Sequence, residues 1–202
     1  MILNAQDDLL IIFVKNPVKG KVKTRLAADL GESKALMVYH SLLRITRSVV
    51  NSMNVTKQVW YSDFIDPSDD WDPKFFYKKL QIGISLGERM KTAFYCGFHD
   101  NFKRIVIIGS DCPSISENHL KQAYRELADN DVVLGPSSDG GYYLLGMNQF
   151  IPELFDNKSW STENLYAETL RTIRDMNKSF GELEILNDID TLEDFNKSHL
   201  EI

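Results

Sequence analysis

The sequence has few cysteines and no apolar run long enough to cross a membrane, and each of these shortages excludes a class of protein. Its 202 residues include only Cys96 and Cys112, which lack a CxxC spacing, so a disulfide framework is excluded and a reducing compartment is favoured. The first apolar run of more than three residues, at 9–14, follows two aspartates and has only six residues. That is too short for a signal peptide or a membrane span. We therefore expect a cytoplasmic protein that does not insert into membranes.

Several motifs of known enzyme sites are also missing. The sequence contains no GxxxxGK[ST] phosphate loop and no GxSxG nucleophile elbow. The only glycines between the first predicted strand and helix are Gly20 and Gly31, too far apart for the G-x-G-x-x-G fingerprint of dinucleotide-binding folds. The four histidines do not have metal-ligand spacing. A serine hydrolase or a histidine-based metal site is therefore not indicated.

Positive charge is scarce in the chain as a whole but concentrated in one segment. With 23 Lys and Arg against 29 Asp and Glu, the net charge is −6, which argues against a nucleic-acid partner. No acid occurs in residues 9–28, and this segment carries Lys15, Lys19, Lys21, Lys23 and Arg25. We interpret it as a pocket for a concentrated anion, most simply a polyphosphate, held by lysine point charges and a bidentate arginine. The alternative is an ordinary solvated loop.

Apolar runs alternate with helical patterns along the chain, which predicts an α/β sandwich with a mostly parallel sheet. Strands are predicted at 9–14, 55–61, 75–81, 104–109, 131–136, 142–147 and 182–186. Helices are predicted at 32–53, 86–99, 117–128 and from Thr162 to about 176, with a final helix after the last strand. Ser114 and Glu117 have capping-box spacing. We see no repeat or linker and expect one domain over 1–202.

Polar segments follow four of these strands, where a parallel sheet binds its ligands. They are the basic segment, GSDCP after 108, SSDGG after 136 and NDIDT after 186. If the basic segment runs extended, its alternate cations share one side. Asp111 is interpreted as a ligand for a divalent cation that bridges to phosphate, or alternatively as a helix-capping acid. Because Ser114 already offers a cap, we favour the metal.

Asp188 and Asp190 are taken to point to opposite sides of an extended segment, so that one of them faces the site. We favour Asp190 as the metal ligand and leave Asp188 as a supporting residue or as an exchanged ligand. The alternative is that both acids stabilise the N-terminus of the last helix.

The SSDGG segment is interpreted as part of an acceptor site. Gly140 and Gly141 permit close backbone approach, Tyr142 follows them, and Asp139 is a candidate hydroxyl ligand or general base. An ordinary Asp-Gly hairpin turn is an equal alternative. Gln81 and Gly83 are weaker candidates for contacts with a nucleotide base, and Ser110 is grouped with the nucleotide-binding residues.

The order of these motifs is more specific than any one of them. KNPVKGKVKTRLA, QIGISLGERM, GSDCPSI, DVVLGPSSDGGYYLLG, WST and DIDT occur in that order. Over Leu9 to Asp194 the chain resembles the bacterial transferases related to 2-phospholactate guanylyltransferase, a group often labelled as glycosyltransferases of arsenosugar biosynthesis. It is more distantly similar to molybdenum-cofactor guanylyltransferase. It departs from the pattern at Ser85, where Asp is frequent, and at Leu192, where Pro is frequent.

The resemblance implies a GT-A-type, Rossmann-like three-layer fold with the nucleotide in its N-terminal half. It also implies that Lys23 and Arg25 contact phosphate, and that Asp111 binds Mg²⁺ or Mn²⁺ with Asp190 completing the site. We expect a metal-dependent transferase that moves a glycosyl group from a nucleotide sugar to a small acceptor. A nucleotidyltransferase that releases pyrophosphate, and a nucleotide sensor without turnover, are the alternatives. A homodimer is kept as an open alternative.

Overall fold

Strands and helices alternate along the chain, as its apolar pattern predicts. The structure is a computed structural model that describes residues 3–202. The strands are β1 (Asp8–Val14), β2 (Thr56–Tyr61), β3 (Tyr77–Leu80), β4 (Arg104–Ile108), β5 (Val132–Pro136), β6 (Tyr142–Met147) and β7 (Phe180–Glu182). The helices are α1 (Thr24–Leu30), α2 (Glu32–Asn51), α3 (Leu86–His99), α4 (Glu117–Asp129), α5 (Leu165–Asp175) and α6 (Leu192–Ser198), with a short 3₁₀ turn at Pro152–Leu154.

The seven strands form one mixed sheet in the order β3-β2-β1-β4-β6-β5-β7. β3, β2, β1 and β4 are mutually parallel, whereas β6 runs antiparallel to both β4 and β5. β7 pairs parallel with β5. The predicted α/β class with a mostly parallel sheet is therefore confirmed.

Helices cover both faces of the sheet because its central strands are apolar on both sides. Along β1, Leu10 and Ile12 pack with residues of α2 and α4, whereas Leu9 and Ile11 pack with residues of α3 and α5. A further cluster joins α1, α2 and the segment before α6, with Ile189 buried in it. The result is a three-layer sandwich. Within residues 3–202, no helix is both long and apolar enough to span a bilayer.

The carboxyl ends of β1, β4 and β5 lie at one edge of the sheet, and β6 begins there because it runs the other way. β5 and β6 form a hairpin whose turn is residues 137–141, with a register shift at Gly135 and Pro136. The polar segments that follow these strands therefore share one edge.

The basic segment does not run extended, so the condition under which its alternate cations would share one side is not met. The Lys21 amide donates to the Val18 carbonyl in a turn, and α1 then begins at Thr24. Lys23 precedes α1 with φ 49° and ψ 46°, a left-handed conformation that is uncommon outside glycine. The sequence pattern did not indicate α1 because Gly31 separates its seven residues from α2.

Two predicted helix caps and one strand also differ. Ser116, with His119 at the third helical position, forms the capping box of α4 in place of Ser114 and Glu117. Asn164 rather than Thr162 precedes α5, and its side chain makes no capping bond. Strand β7 ends at Glu182, and beyond it only Leu186 forms a bridge, to Ser137. The predicted strand at 182–186 is therefore shifted.

Candidate active site

A small charged cavity of about 140 Å³ opens at the carboxyl edge of the sheet between the loops after β1 and β4. Its charged lining residues are Lys15, Lys21, Lys23, Arg25, Asp111 and Asp190. A larger surface depression of about 490 Å³, near Glu153 and Arg171, includes none of them. The small cavity therefore brings together most of the cations and acids that the sequence singles out. Lys19 is exposed and does not line the cavity.

Lys23 makes the central contact of this cavity. Its ammonium Nζ lies 3.0 Å from Asp111 Oδ2 and 2.9 Å from Asp190 Oδ1, and its side chain is only 3% exposed. Burial alone would lower the pKa of Lys23, but the Asp111 and Asp190 carboxylates outweigh it and raise the pKa. Lys23 is therefore a charged ammonium held between two carboxylates.

Both aspartates of the NDIDT segment border this site. The Ile189 amide donates to the Asp111 carbonyl over 3.1 Å, and the Ile189 side chain is buried. Asp188 and Asp190 flank Ile189, and residues two apart share a side of an extended segment. The expectation that they diverge was therefore wrong. Burial raises the pKa of Asp188 to about 7; repulsion by Asp111 adds to this rise, and Lys23 opposes it.

Tyr39 on α2 is a site residue that sequence reasoning missed, because its position was read only as part of the apolar face of α2. Its hydroxyl accepts from the Lys15 amide over 2.8 Å and lies 3.1 Å from the Ser110 hydroxyl. The ring is 1% exposed and lines the charged cavity. Tyr39 therefore fixes the loops after β1 and β4 relative to each other. Ser110, predicted to bind nucleotide, is buried in this contact.

Gln81 and Gly83, which the sequence suggested as contacts for a nucleotide base, already form hydrogen bonds within the protein. Gln81 Nε2 donates to the carbonyls of Val14 and Trp60, at 3.3 and 2.8 Å. The Gly83 carbonyl accepts from Arg89 Nε over 3.0 Å, which compensates the arginine near the N-terminus of α3. A Cβ at Gly83 would lie 2.7 Å from the Arg89 amide nitrogen. Gln81 therefore ties the segment after β3 to β1 and β2, and Gly83 ties it to the start of α3.

The 137–141 hairpin turn is ordered by Asp139. Asp139 Oδ1 accepts from the Gly141 amide over 3.0 Å and from the Ser137 hydroxyl in a shorter bond. Gly140 has φ +85°, and a Cβ there would lie 2.1 Å from the Glu163 carbonyl oxygen. The turn therefore needs glycine, and it places Asp139 close enough to Asp188 to raise the pKa of Asp188 further.

Tyr142 faces a different environment from the charged cavity. It lines an apolar cavity of about 120 Å³ together with Phe13, Met90 and Trp160. A Cβ at Gly87 would lie 2.2 Å from the Trp160 indole nitrogen, so the indole packs directly on α3. The predicted acceptor residues therefore divide between the polar turn at 139–141 and this apolar wall.

The acidic side chains of the charged cavity fit a divalent ion that is shared with a ligand. Asp111 and Asp190 reach one cationic nitrogen at once, so their oxygens can converge on a single cation. Mg²⁺ is usually held by one or two carboxylates together with substrate phosphates. In residues 3–202, no group of three or more His, Cys, Asp or Glu side chains is arranged to hold a metal ion by itself.

The fold matches those of nucleotide-dependent transferases. A provisionally assigned nucleotide-diphospho-sugar transferase from Desulfovibrio desulfuricans G20 superposes with TM-score 0.87 at 31% identity, covering 94% of this chain and 84% of that chain. The inositol-1-phosphate CTP transferase from T. maritima matches with TM-score 0.57 at 13% identity, covering 95% and 92%. Rv0371C from Mycobacterium tuberculosis H37Rv, in complex with manganese, matches with TM-score 0.54 at 11% identity, covering 95% and 97%.

The last two likenesses, at low identity, concern the fold alone. No curated protein matches the sequence. A family model matches residues 45–162, which is more than half of the chain, and its description is "Uncharacterized protein conserved in bacteria". This match identifies the chain as a member of the DUF2064 family.

Proposed function

We propose that this protein is a metal-dependent transferase that uses an activated nucleotide, and that it transfers a glycosyl group from a nucleotide sugar to a small acceptor. The observation that carries the proposal is the convergence of Asp111 and Asp190 on one cation, inside a cavity bordered by further cations. The similarity to a nucleotide-diphospho-sugar transferase supports the same reading. Mg²⁺ or Mn²⁺ is the cofactor that this donor set favours.

The cations of the cavity would bind the diphosphate of the donor. Arg25 offers a bidentate fork and Lys15 and Lys21 offer point charges. A divalent ion held by Asp111 and Asp190 would neutralise phosphate charge. Charge that develops on the leaving diphosphate is then met by fixed cations, and such electrostatic stabilisation is usually the largest contribution to catalysis.

The acceptor would approach from the hairpin side of the site. Asp139 Oδ1 is occupied by the turn, which orients the carboxylate, and its second oxygen is the candidate base for an acceptor hydroxyl. The polar turn and the apolar wall beside Tyr142 together suit a small acceptor.

A second candidate is nucleotidyl transfer from a nucleoside triphosphate with release of pyrophosphate. It is favoured by the four cations that line a cavity of only about 140 Å³. A phosphate nucleophile is already ionised and would not need Asp139 as a base. The two reactions therefore predict different effects of an Asp139→Asn substitution, which would slow glycosyl transfer and leave nucleotidyl transfer nearly unchanged.

The test is product analysis with Mg²⁺ or Mn²⁺ across nucleotide sugars and nucleoside triphosphates. Release of a nucleoside diphosphate supports glycosyl transfer, and release of pyrophosphate supports nucleotidyl transfer. Asp111→Asn should lower either rate by about 10²–10³, the usual cost of losing one such contact. If the wild-type protein binds no nucleotide of the panel at millimolar concentration with either metal, the proposal fails.

We further propose that residues 1–202 act as one domain in the cytoplasm, without a nucleic-acid partner. The net charge of −6 supports the last point, since nucleic-acid binding needs a broad basic surface. Whether the domain acts alone or as a homodimer is tested by light scattering.

A further inference from the structure

Lys23 differs from the other cations of the charged cavity. It is 3% exposed in its side chain, whereas Asp111 and Asp190, its two partners, are 32% and 48% exposed. The ammonium is therefore the innermost charge of the site, and the carboxylates lie between it and solvent. A lysine that served only to attract phosphate would be expected to reach toward the solvent side of these acids.

Two neighbouring cations of the cavity, Lys21 and Arg25, are exposed where Lys23 is buried. Within residues 3–202, neither Lys21 nor Arg25 has a carboxylate within ion-pair distance, and both are exposed. They are available for phosphate in the structure as it stands. Lys23 is not available, because both of its nearest anions would have to be given up first.

The Lys23 ammonium also occupies the point on which the two proposed metal ligands converge. Carboxylate oxygens bind Mg²⁺ at about 2.0–2.1 Å and Ca²⁺ at about 2.3–2.6 Å. A divalent ion bound to the same two oxygens would lie close to Lys23 Nζ, because Nζ is within 3.0 Å of both. The two cations therefore compete for the carboxylates, because like charges at such short range repel each other.

We propose that Lys23 is an internal counter-cation that competes with the divalent metal for Asp111 and Asp190, and that it must leave them before the metal can bind. This inference rests on the proposed metal site. The displaced ammonium needs a new anion, and a nucleotide phosphate in the same cavity supplies one. Metal and nucleotide therefore bind cooperatively, and the metal enters mainly together with the nucleotide.

The two carboxylates of the site repel each other unless a cation lies between them. Without Lys23 and without metal, Asp111, Asp188 and Asp190 would be like charges at close range, and their repulsion would destabilise the folded protein. Lys23 keeps the site folded and neutralised until the ligand arrives. The same contact keeps the affinity for free metal low, so that the carboxylates remain ready for a metal–nucleotide complex.

The first test measures Mn²⁺ binding to the nucleotide-free protein by electron paramagnetic resonance. Lys23→Met should bind Mn²⁺ at least about tenfold more tightly than the wild type. Lys19→Met is the matched control, since it removes an exposed cation from the same segment that does not line the cavity, and its affinity should stay within about twofold of the wild type. Lys23→Gln replaces Lys23→Met if the latter does not fold.

The outcomes separate this inference from the proposed function. If Lys23→Met and Lys23→Gln bind Mn²⁺ no more tightly than the wild type, while Asp190→Asn weakens binding, the competition is refuted and the metal site stands. If no variant binds Mn²⁺, with or without a nucleoside diphosphate, the proposed metal site itself fails and this inference fails with it.

A second measurement uses the wild-type protein alone. Reductive methylation followed by mass spectrometry reports how accessible each lysine amine is. Lys23 should react slowly without metal and several-fold faster with saturating Mn²⁺, whereas the rate at exposed Lys21 should not change. Continued protection of Lys23 when Mn²⁺ is bound would show that the ammonium does not leave, and would overturn the proposal.

Discussion

The Tyr39 hydroxyl lies 3.1 Å from the Ser110 hydroxyl and so connects α2 to the loop after β4. The same hydroxyl accepts from the Lys15 amide. Tyr39→Phe leaves that amide and the Ser110 hydroxyl without this partner, so we expect a loss of about 1–3 kcal/mol in the free energy of unfolding. Urea denaturation measures it. The control is Tyr77→Phe, since Tyr77 is 64% exposed, and an equal loss in both variants would contradict the assignment.

The Asp8–Arg104 ion pair should be the most costly charge contact to break. Asp8 is fully buried, and Arg104 Nε and Nη2 bind its two oxygens at 2.7 and 2.9 Å. Arg104→Met leaves a buried carboxylate without this partner, so we expect a loss of about 3–5 kcal/mol. Lys103→Met breaks the exposed pair with Asp7 and should cost far less, because solvent screens this pair. Equal costs in urea denaturation would refute the distinction.

Asp188 should make the stability of the metal-free protein depend on pH. Its pKa is raised from 3.8 to about 7, so the folded state holds a proton that the unfolded state has lost across this interval. The stabilisation is present below pH 4 and is lost as pH rises to about 7. Asp188→Asn cannot ionise and should become progressively more stable than the wild type over this range, toward an upper bound of about 4 kcal/mol.

Denaturation in the presence of a chelator at pH 4.5, 6 and 8 measures this difference. Asp29→Asn is the control, because Asp29 is an exposed residue of α1, and its difference from the wild type should not change with pH. A constant difference between Asp188→Asn and the wild type at the three pH values would exclude the assigned titration.

The two cysteines should differ in reactivity toward a thiol reagent. Cys112 is 4% exposed, and burial raises its pKa to about 12, with repulsion by Asp188 as the next cause. The thiolate is the reactive form, so Cys112 should stay unmodified in the folded protein at pH 8. Half-buried Cys96 should react more readily. Titration with Ellman's reagent should give at most one rapid thiol in the native protein and two after denaturation.

Gly140 should tolerate substitution less well than Gly31. Both have positive φ, so alanine strains the backbone by about 1–3 kcal/mol at either position. A Cβ at Gly31 meets nothing within 4 Å, whereas at Gly140 it would collide with the backbone of Glu163. Gly140→Ala should therefore lose clearly more stability in urea denaturation, and a smaller loss than in Gly31→Ala would contradict the packing described for the hairpin.

The strands and the long helices could be predicted because their signals are local. The six-residue apolar run of β1 and the periodicity of α2 depend on neighbours in the sequence. The Lys23–Asp190 contact joins residues 167 positions apart, and no local pattern encodes it. The sequence therefore indicated that these residues belong to one edge of the sheet, but not that Lys23 would be paired with the acids rather than free for phosphate.

The role of Tyr39 was hidden for a different reason. Its spacing is that of an apolar helix position, and its ring is buried as such a position requires. Only the hydroxyl at the end of the ring takes part in the site, and its partners come from two other loops. Likewise, Ser114 and Ser116 both lie three residues before a polar side chain, and the sequence did not show that Ser116, paired with His119, is the one that caps α4.

Because β6 runs antiparallel to its neighbours, the turn before it can change in sequence more freely than the loop after β1. Residues 137–141 connect two antiparallel neighbours, so a change at a turn position other than Gly140 can leave the pairing of β5 with β6 intact. A change in the loop after β1 would instead move α1 and with it Lys23. Within one lineage, the turn can therefore change in sequence while the charged cavity is inherited unchanged.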